Sequence, residues 1–322
     1  FTVRSASMAW ILGSILLVLL LILIVISLQF GAAEADSVIV WNIRAPRTIA
    51  AILVGVGLAS AGVLLQGSLR NPLADPALVG VSAGAALGAV LGAAIGLPFN
   101  SLGVSGIAVV TSAIAMAIVV WVARSNGRVE VVTVLLAGIA VSAFGAAAMS
   151  IIISMSDLAG ARSVTFWTTG SFSLSNWDGV IAMLPAILIG VILAFFLAPS
   201  LDLMALGDES AYASGVNVSR VRALALLAAV LLTAAGVAVV GVIAFLGLVV
   251  PHAIRLVVGP SHRQLLVLSA IGGAVILLLA DTVARLAFSP TEMPVGSVMA
   301  IVGAPVFFFL LGRARNRQGG WA

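Results

Sequence analysis

Apolar residues run along this chain in stretches of about 20, the length of α-helix that a bilayer's hydrocarbon core requires. They fall near residues 10–28, 48–67, 77–97, 102–123, 131–153, 180–198, 221–240, 241–258, 264–282 and 294–312. The stretches are continuous and rich in Leu, Ala, Val and Gly, whereas a membrane β-barrel reads as alternating segments of about ten residues. The pattern predicts an all-α integral membrane protein, a single transmembrane domain over residues 1–322 with about ten helices. Its longest polar interruption near the middle is Leu201 to Arg222. A membrane protein would offer a handle to water in such a segment.

Composition sharpens the picture. Of 322 residues, 62% are hydrophobic and 8% charged, with a mean hydropathy of +1.29, against about one-quarter charged in soluble domains. No segment is polar enough to form a separate soluble domain. All 15 Lys+Arg residues are Arg, so the phosphate-gripping Lys of a P-loop is missing and no G-x-x-x-x-G-K-[ST] is present. ATP-driven work would need another subunit to hydrolyse the ATP. The absence of cysteine excludes disulfides and thiolate chemistry. The chain opens at Phe1 rather than Met, so its start is expected to have been trimmed. Ala33-Glu34-Ala35 offers a cleavage-like site after the first run, but that run exceeds the roughly 7 to 15 residues of a signal core, and a retained helix is expected.

Threading the ten spans through a bilayer puts Arg4, Arg70, Arg124, Arg128, Arg220, Arg222, Arg255, Arg263, Arg313, Arg315 and Arg317 on one side, and Arg44, Arg47, Arg162 and Arg285 on the other. By the positive-inside rule the first side is cytoplasmic, and so are both termini and the segment Leu201 to Arg222.

Gly80, Gly84, Gly88, Gly92 and Gly96 recur every fourth residue, a stripe that would let a neighbouring helix approach closely. Gly80-Val81-Ser82-Ala83-Gly84 also matches G-x-S-x-G, but Asn71-Pro72 and Asp75-Pro76 introduce a helix rather than the strand a nucleophile elbow needs. On the outer side, Arg44, Arg47 and Arg285 either snorkel, with Asp281 neutralising Arg285 at i, i+4 spacing, or grip an acidic partner. The outer connection Ile153 to Asp178 carries Arg162, Trp167, Gly170, Ser171 and Trp177. Its tryptophans suit interfacial anchors, and the segment also suits a short re-entrant helix beside a substrate path. His252 has no Asp, Glu or His at metal-ligand spacing, so a packing role is expected and a metal site is not. Nearly every ionisable residue falls near a segment end, and only Asp281 approaches membrane depth. That pattern weighs against an ion-coupled transporter.

Several segments together carry a resemblance. Arg44-Ala45-Pro46-Arg47 and GVGLASAGVLLQGSLRNPLADPALVGVSAGAALGAV are followed by LLAGIAVSA (135–143), FWTTGSFS (166–173), LGDESAYASGV (206–216), GVIAFLGLVVPHAIRLVVGPSHR (241–263), LLLADTVARL (277–286) and EMPVGSVMAIVGAPVFFFLL (292–311). In content and order they resemble the FecCD family, the permease subunits of ABC importers for iron-siderophore complexes, haem and cobalamin. The resemblance implies a type II importer fold with an inverted pseudo-repeat in a bacterial cytoplasmic membrane. It further implies a homodimer, two cytoplasmic ATPase subunits carrying ATP and Mg, and an outer substrate-binding protein. No cofactor on this chain and no nucleic-acid partner are expected.

Carried over residue by residue, Arg44, Arg47 and Arg285 match the arginines that pair with glutamates of the binding protein. Arg162, Trp167, Gly170 and Ser171 fall in the substrate-path region, where an Arg suits an anionic cargo. Glu209 to Gly215 resembles the E-A-A-x-x-x-G coupling motif, with Ser210 departing from it. Gly207, Asp208, Glu209, Ala211 and Gly215, within a coupling region at 201–219, are then expected to seat in the ATPase: a short helix opened by acids and closed by Gly215. The expected activity is import of an iron chelate by alternating access, with cobalamin as the alternative cargo. An intramembrane serine hydrolase is the distant alternative.

Overall fold

The computed structural model describes residues 2–31, 36–125, 128–129, 131–156, 164–287 and 292–317. Helix α1 (Thr2–Gln29) is followed by a single turn, α2 (Ser37–Ile39), which passes through a π-helical stretch at Val40–Arg44 into α3 (Ala45–Ser68). Pro46 accounts for the change of ladder, since it has no N–H to donate and its ring obstructs the turn before it. Then come α4 (Val81–Ala94), α5 (Leu102–Ala123) and α6 (Val131–Met155), with a two-residue antiparallel pairing at Arg124–Ser125 and Arg128–Val129 between the last two. The short α7 (Val164–Thr169) leads to the long α8 (Trp177–Ala205), and the short α9 (Asp208–Ala213) to α10 (Val218–Val240). The chain closes with α11 (Leu246–Val258), α12 (His262–Leu286) and α13 (Val295–Arg317). Among the described residues, seven helices are long and apolar enough to span a bilayer and three more apolar helices are shorter. The protein is a multi-pass helical membrane protein.

Helix lengths show how the bundle is organised. α3 to α6 hold 24, 14, 22 and 25 residues, and α10 to α13 hold 23, 13, 25 and 23. Each set reads long, short, long, long, and each follows one further long helix, α1 or α8. α3 packs along α10 and α12, while α10 packs along α5, so the first helix of each half is sheathed by the third helix of the other. α3 ends beside the start of α10, where the Arg222 side chain reaches the Ser68 carbonyl. The two central helices run in opposite directions, and the halves form an inverted pair.

Glycines set the closest approaches. A Cβ at Gly55 would meet the Gly273 carbonyl on α12, and one at Gly62 would meet that of Gly247 on α11. Small residues gain dispersion contact where lipid offers no hydrophobic drive.

The third and eighth spans are shorter than their apolar runs suggest. Gly80 (φ 83°) opens α4, and Gly241 (φ 79°) and Phe245 (φ 66°) bound a non-helical stretch before α11. Gly247 lies against the Leu58 carbonyl, halfway along α3, so α11 starts at mid-depth and covers about 20 Å. The stripe at Gly80 to Gly96 is corrected accordingly. Gly84, Gly88 and Gly92 do face α5, where an added Cβ would meet Ala115, Thr111 and Val104. Gly80 and Gly96 lie outside the helix and turn the chain with positive φ.

Candidate functional site

The arginine-rich end of the bundle is built around the break between α8 and α10. Gly207 (φ 121°) turns the chain out of α8, α9 makes one and a half turns, and Gly215 (φ 83°) turns it back. Two anchors hold α9: Ala211 is fully buried, and Asp208 accepts from Arg222, Nη2 to Oδ2 at 3.0 Å. Arg222 also donates from Nε to the Ser68 carbonyl at 3.0 Å, tying the ends of α3, α9 and α10 together. Glu209, Ser210, Tyr212 and Gly215 face outward. Acids in the first turn suit the helix dipole. Beside this knob, Asp202 accepts the backbone N–H of His262 at 2.8 Å and holds its Nδ1 at 2.6 Å, closing the start of α12 on the end of α8. What this end presents is a short helix with an exposed outer face, held to α10 through Asp208 and Arg222.

The opposite end contains Arg44, Arg47 and Arg285, and there the structure departs from expectation. These side chains are buried, and each is engaged inside the chain. Arg44 donates from Nη1 to the carbonyls of Leu28 and Gln29, both at 2.9 Å, and Arg285 donates from Nη2 to the Ser27 carbonyl at 3.0 Å. Together they satisfy the last carbonyls of α1, which have no partner within the helix. Arg47 lies between two carboxylates, with Nη2 2.8 Å from Asp281 and Nη1 2.9 Å from Glu292. Asp281, fully buried, therefore pairs with Arg47 rather than with Arg285 one turn away. Burying a charge is costly unless it is paired and hydrogen-bonded. Only Glu292, 39% exposed at its side chain, keeps substantial contact with the surroundings.

Between the ends lies α7 with the segment after it. Trp167 is 1% exposed, which rules out an interfacial anchor. Its carbonyl accepts the N–H of Val242 at 2.9 Å, Ser171 donates to the Val240 carbonyl at 2.8 Å, and Gly296 donates to the Gly170 carbonyl at 3.2 Å. Residues 167–171 thus satisfy the Val240 carbonyl and the Val242 N–H where α10 gives way to non-helical backbone, which hydrocarbon could not. Gly170 takes a positive φ of 62° because the Val242 carbonyl occupies the space of a Cβ. Ser171 is half-buried, and Arg162 lies outside the described residues.

Sequence reasoning missed Asp75. It is buried in the connection between α3 and α4, accepts the Ala77 N–H at 2.9 Å, and sets its other carboxylate oxygen against Gly247. A buried carboxylate of the first half thus lies beside the mid-depth start of α11. The available signal was Asp75-Pro76 directly after Asn71-Pro72, a turn-forming pair inside an apolar stretch. Ser82 is buried, and its Oγ has no partner among the described residues. A Ser–His pair is therefore not formed.

Two inverted halves, each carrying a half-length helix that begins at mid-depth, describe a membrane permease. The chain belongs to the FecCD transport family, which it matches over residues 6–313. It is 38% identical to the hemin transport system permease protein HmuU of Yersinia pestis, over 95% of this chain and 96% of that one. It is 42% identical to the cobalamin import system permease protein BtuC of Halobacterium salinarum, over 90% of this chain and 77% of that one. Among solved structures, a metal-chelate type ABC transporter in an inward-facing conformation superposes with a TM-score of 0.79 at 31% identity, covering 94% of this chain and 98% of that one.

Proposed function

We propose that the chain is the membrane-spanning subunit of an ATP-driven importer that moves an iron chelate, a ferric siderophore or haem, into the cytoplasm by alternating access. The observation that carries this reading is α9: a short helix with an exposed outer face, held by Ala211 and the Asp208–Arg222 pair and placed on the arginine-rich face. This face is cytoplasmic by the positive-inside rule, and both termini lie on it. Two ATPase subunits, which bind the ATP and Mg, each receive one α9, and their closure moves α8 and α10 through Gly207, Asp208, Glu209, Ala211 and Gly215. Two copies of the chain pair across α6 and α13, the last helix of each half, which expose Phe144, Ile139, Phe308 and Ile301. The binding protein docks at the opposite end, where one of its carboxylates takes the place of Glu292 on Arg47 and the rims of Arg44 and Arg285 supply the surrounding positive field. Arg162, with Trp167, Gly170 and Ser171, borders the path, Trp167 and Gly170 by fixing the α10–α11 break.

The relative that transports hemin supports the iron-chelate cargo, and the 42% identical cobalamin permease supports cobalamin as the second reading. Uptake into proteoliposomes carrying the assembled transporter, measured with haem, a ferric siderophore and cobalamin in turn, separates them. In the same vesicles Ala211→Trp is expected to leave ATP hydrolysis running while uptake falls at least tenfold. Uptake and hydrolysis that stay in step would refute the coupling role.

A further inference from the structure

We propose that the groove where α1, α8 and α12 meet at the arginine-rich interface is a binding site for one anionic glycerophospholipid, with its phosphate on Arg263 and an acyl chain between α1 and α12. The groove encloses about 370 Å³ and is lined by Trp10, Gly13 and Leu17 of α1, Phe195 of α8, and Arg263 and Val267 of α12. Its two ends differ in chemistry. At the interface end Arg263 is exposed, its guanidinium carbon 5.1 Å from the centre of the Phe195 ring. Gln264 lies beside it. Among the described residues Arg263 takes part in no ion pair, unlike Arg47 and Arg222. A guanidinium held over an aromatic ring makes no hydrogen bond to it, which leaves its N–H donors for a phosphate that it grips in a fork. Trp10, 79% exposed on the same side, has the amphipathic ring that settles at headgroup level.

Away from the interface the walls become Leu17, Val267, Leu268 and Ile271. Gly13 makes the slot: a Cβ there would come within 3.3 Å of Leu268 Cδ2, so any larger side chain would begin to fill the space between α1 and α12. An unpaired cation at the interface above an apolar slot is complementary to a phospholipid rather than to a free anion or a free acyl chain. The positive surroundings favour a headgroup with net negative charge over a zwitterionic one.

The test is native mass spectrometry of the purified full chain in detergent, titrated separately with phosphatidylglycerol, phosphatidylcholine and inorganic phosphate. Wild type is expected to retain one phosphatidylglycerol per chain in preference to phosphatidylcholine. Arg263→Gln should lower that retention about fivefold. Gly13→Leu should lower retention of both lipids by blocking the slot, with inorganic phosphate displacing neither. Arg263 is exposed, so its variant tests the site even where the glycine variant folds poorly. Equal retention of the two lipids by wild type, unchanged retention in Arg263→Gln, or displacement by inorganic phosphate would each overturn the assignment.

Discussion

The two half-length helices, α4 and α11, reach one geometry by different chemistry. α4 is entered through Gly80, which adopts positive φ at no steric cost. Its far face then packs on α5 through Gly84, Gly88 and Gly92. α11 is entered through Phe245, which holds the same left-handed conformation against its preference. Phe245 is pinned against Gly303 of α13 with its ring 6.2 Å from that of Phe307, and the buried Asp75 carboxylate lies against Gly247 in the first turn of α11. One half uses the absence of side chains, and the other uses a buried charge borrowed from its partner half. The inverted repeat fixes where a helix must break at mid-depth, and each half has solved the resulting loss of hydrogen bonds in its own way. The Arg47–Asp281 pair makes the same point, since a cation of the first half holds an anion of the second.

If cross-half charges rather than glycines carry the junction, their removal should dominate stability. Arg47→Ala would strand the buried Asp281, and the expected loss is about 3–5 kcal/mol. Thermal unfolding in detergent, followed by tryptophan fluorescence, measures it. Asp75→Ala frees the Ala77 N–H in a buried turn, so a loss of about 2–3 kcal/mol is expected, with Asp75→Asn recovering part of it. Gly80→Ala forces a Cβ into left-handed backbone near Val141 and should cost about 1–2 kcal/mol. A Gly80 variant less stable than the Asp75 variant would reverse the comparison. Glu292→Gln, at a half-exposed partner of Arg47, should change stability by less than about 1 kcal/mol. Under the docking proposal it should tighten binding-protein association in a salt titration, and unchanged association would remove Glu292 from the interface.

The apolar helices were legible because hydrocarbon demands continuous apolar length, seven of them long enough to span a bilayer among the described residues, and α9 was legible because Gly207, the paired acids and Gly215 all lie within a few residues of one another. The early end of α4 and the late start of α11 were not. Gly-Val-Ile-Ala-Phe at 241–245 is as apolar as any helix, and its non-helical backbone is met in part by residues 167–171, which arrive from elsewhere to bond Val240 and Val242. The arginines were found but given the wrong surroundings. Arg47 and Asp281 are 234 positions apart, so nothing local in the sequence joins them, whereas Arg285 and Asp281 invite pairing by spacing alone. Asp75 was overlooked for the same reason, since Gly247, against which its carboxylate lies, is in the other half.

The bonds that close α1 bear on the order in which the protein is built. α1 is the first long helix of this sequence to leave the ribosome, and most of it faces outward from the bundle. Its last carbonyls are met first by Arg44, 15 and 16 positions behind, but Ser27 waits for Arg285, which is synthesised 258 positions later. The helix can therefore enter the bilayer at once, yet it is fully docked only when α12 has been made. A chain cut short before α12 would leave α1 without the donor for Ser27.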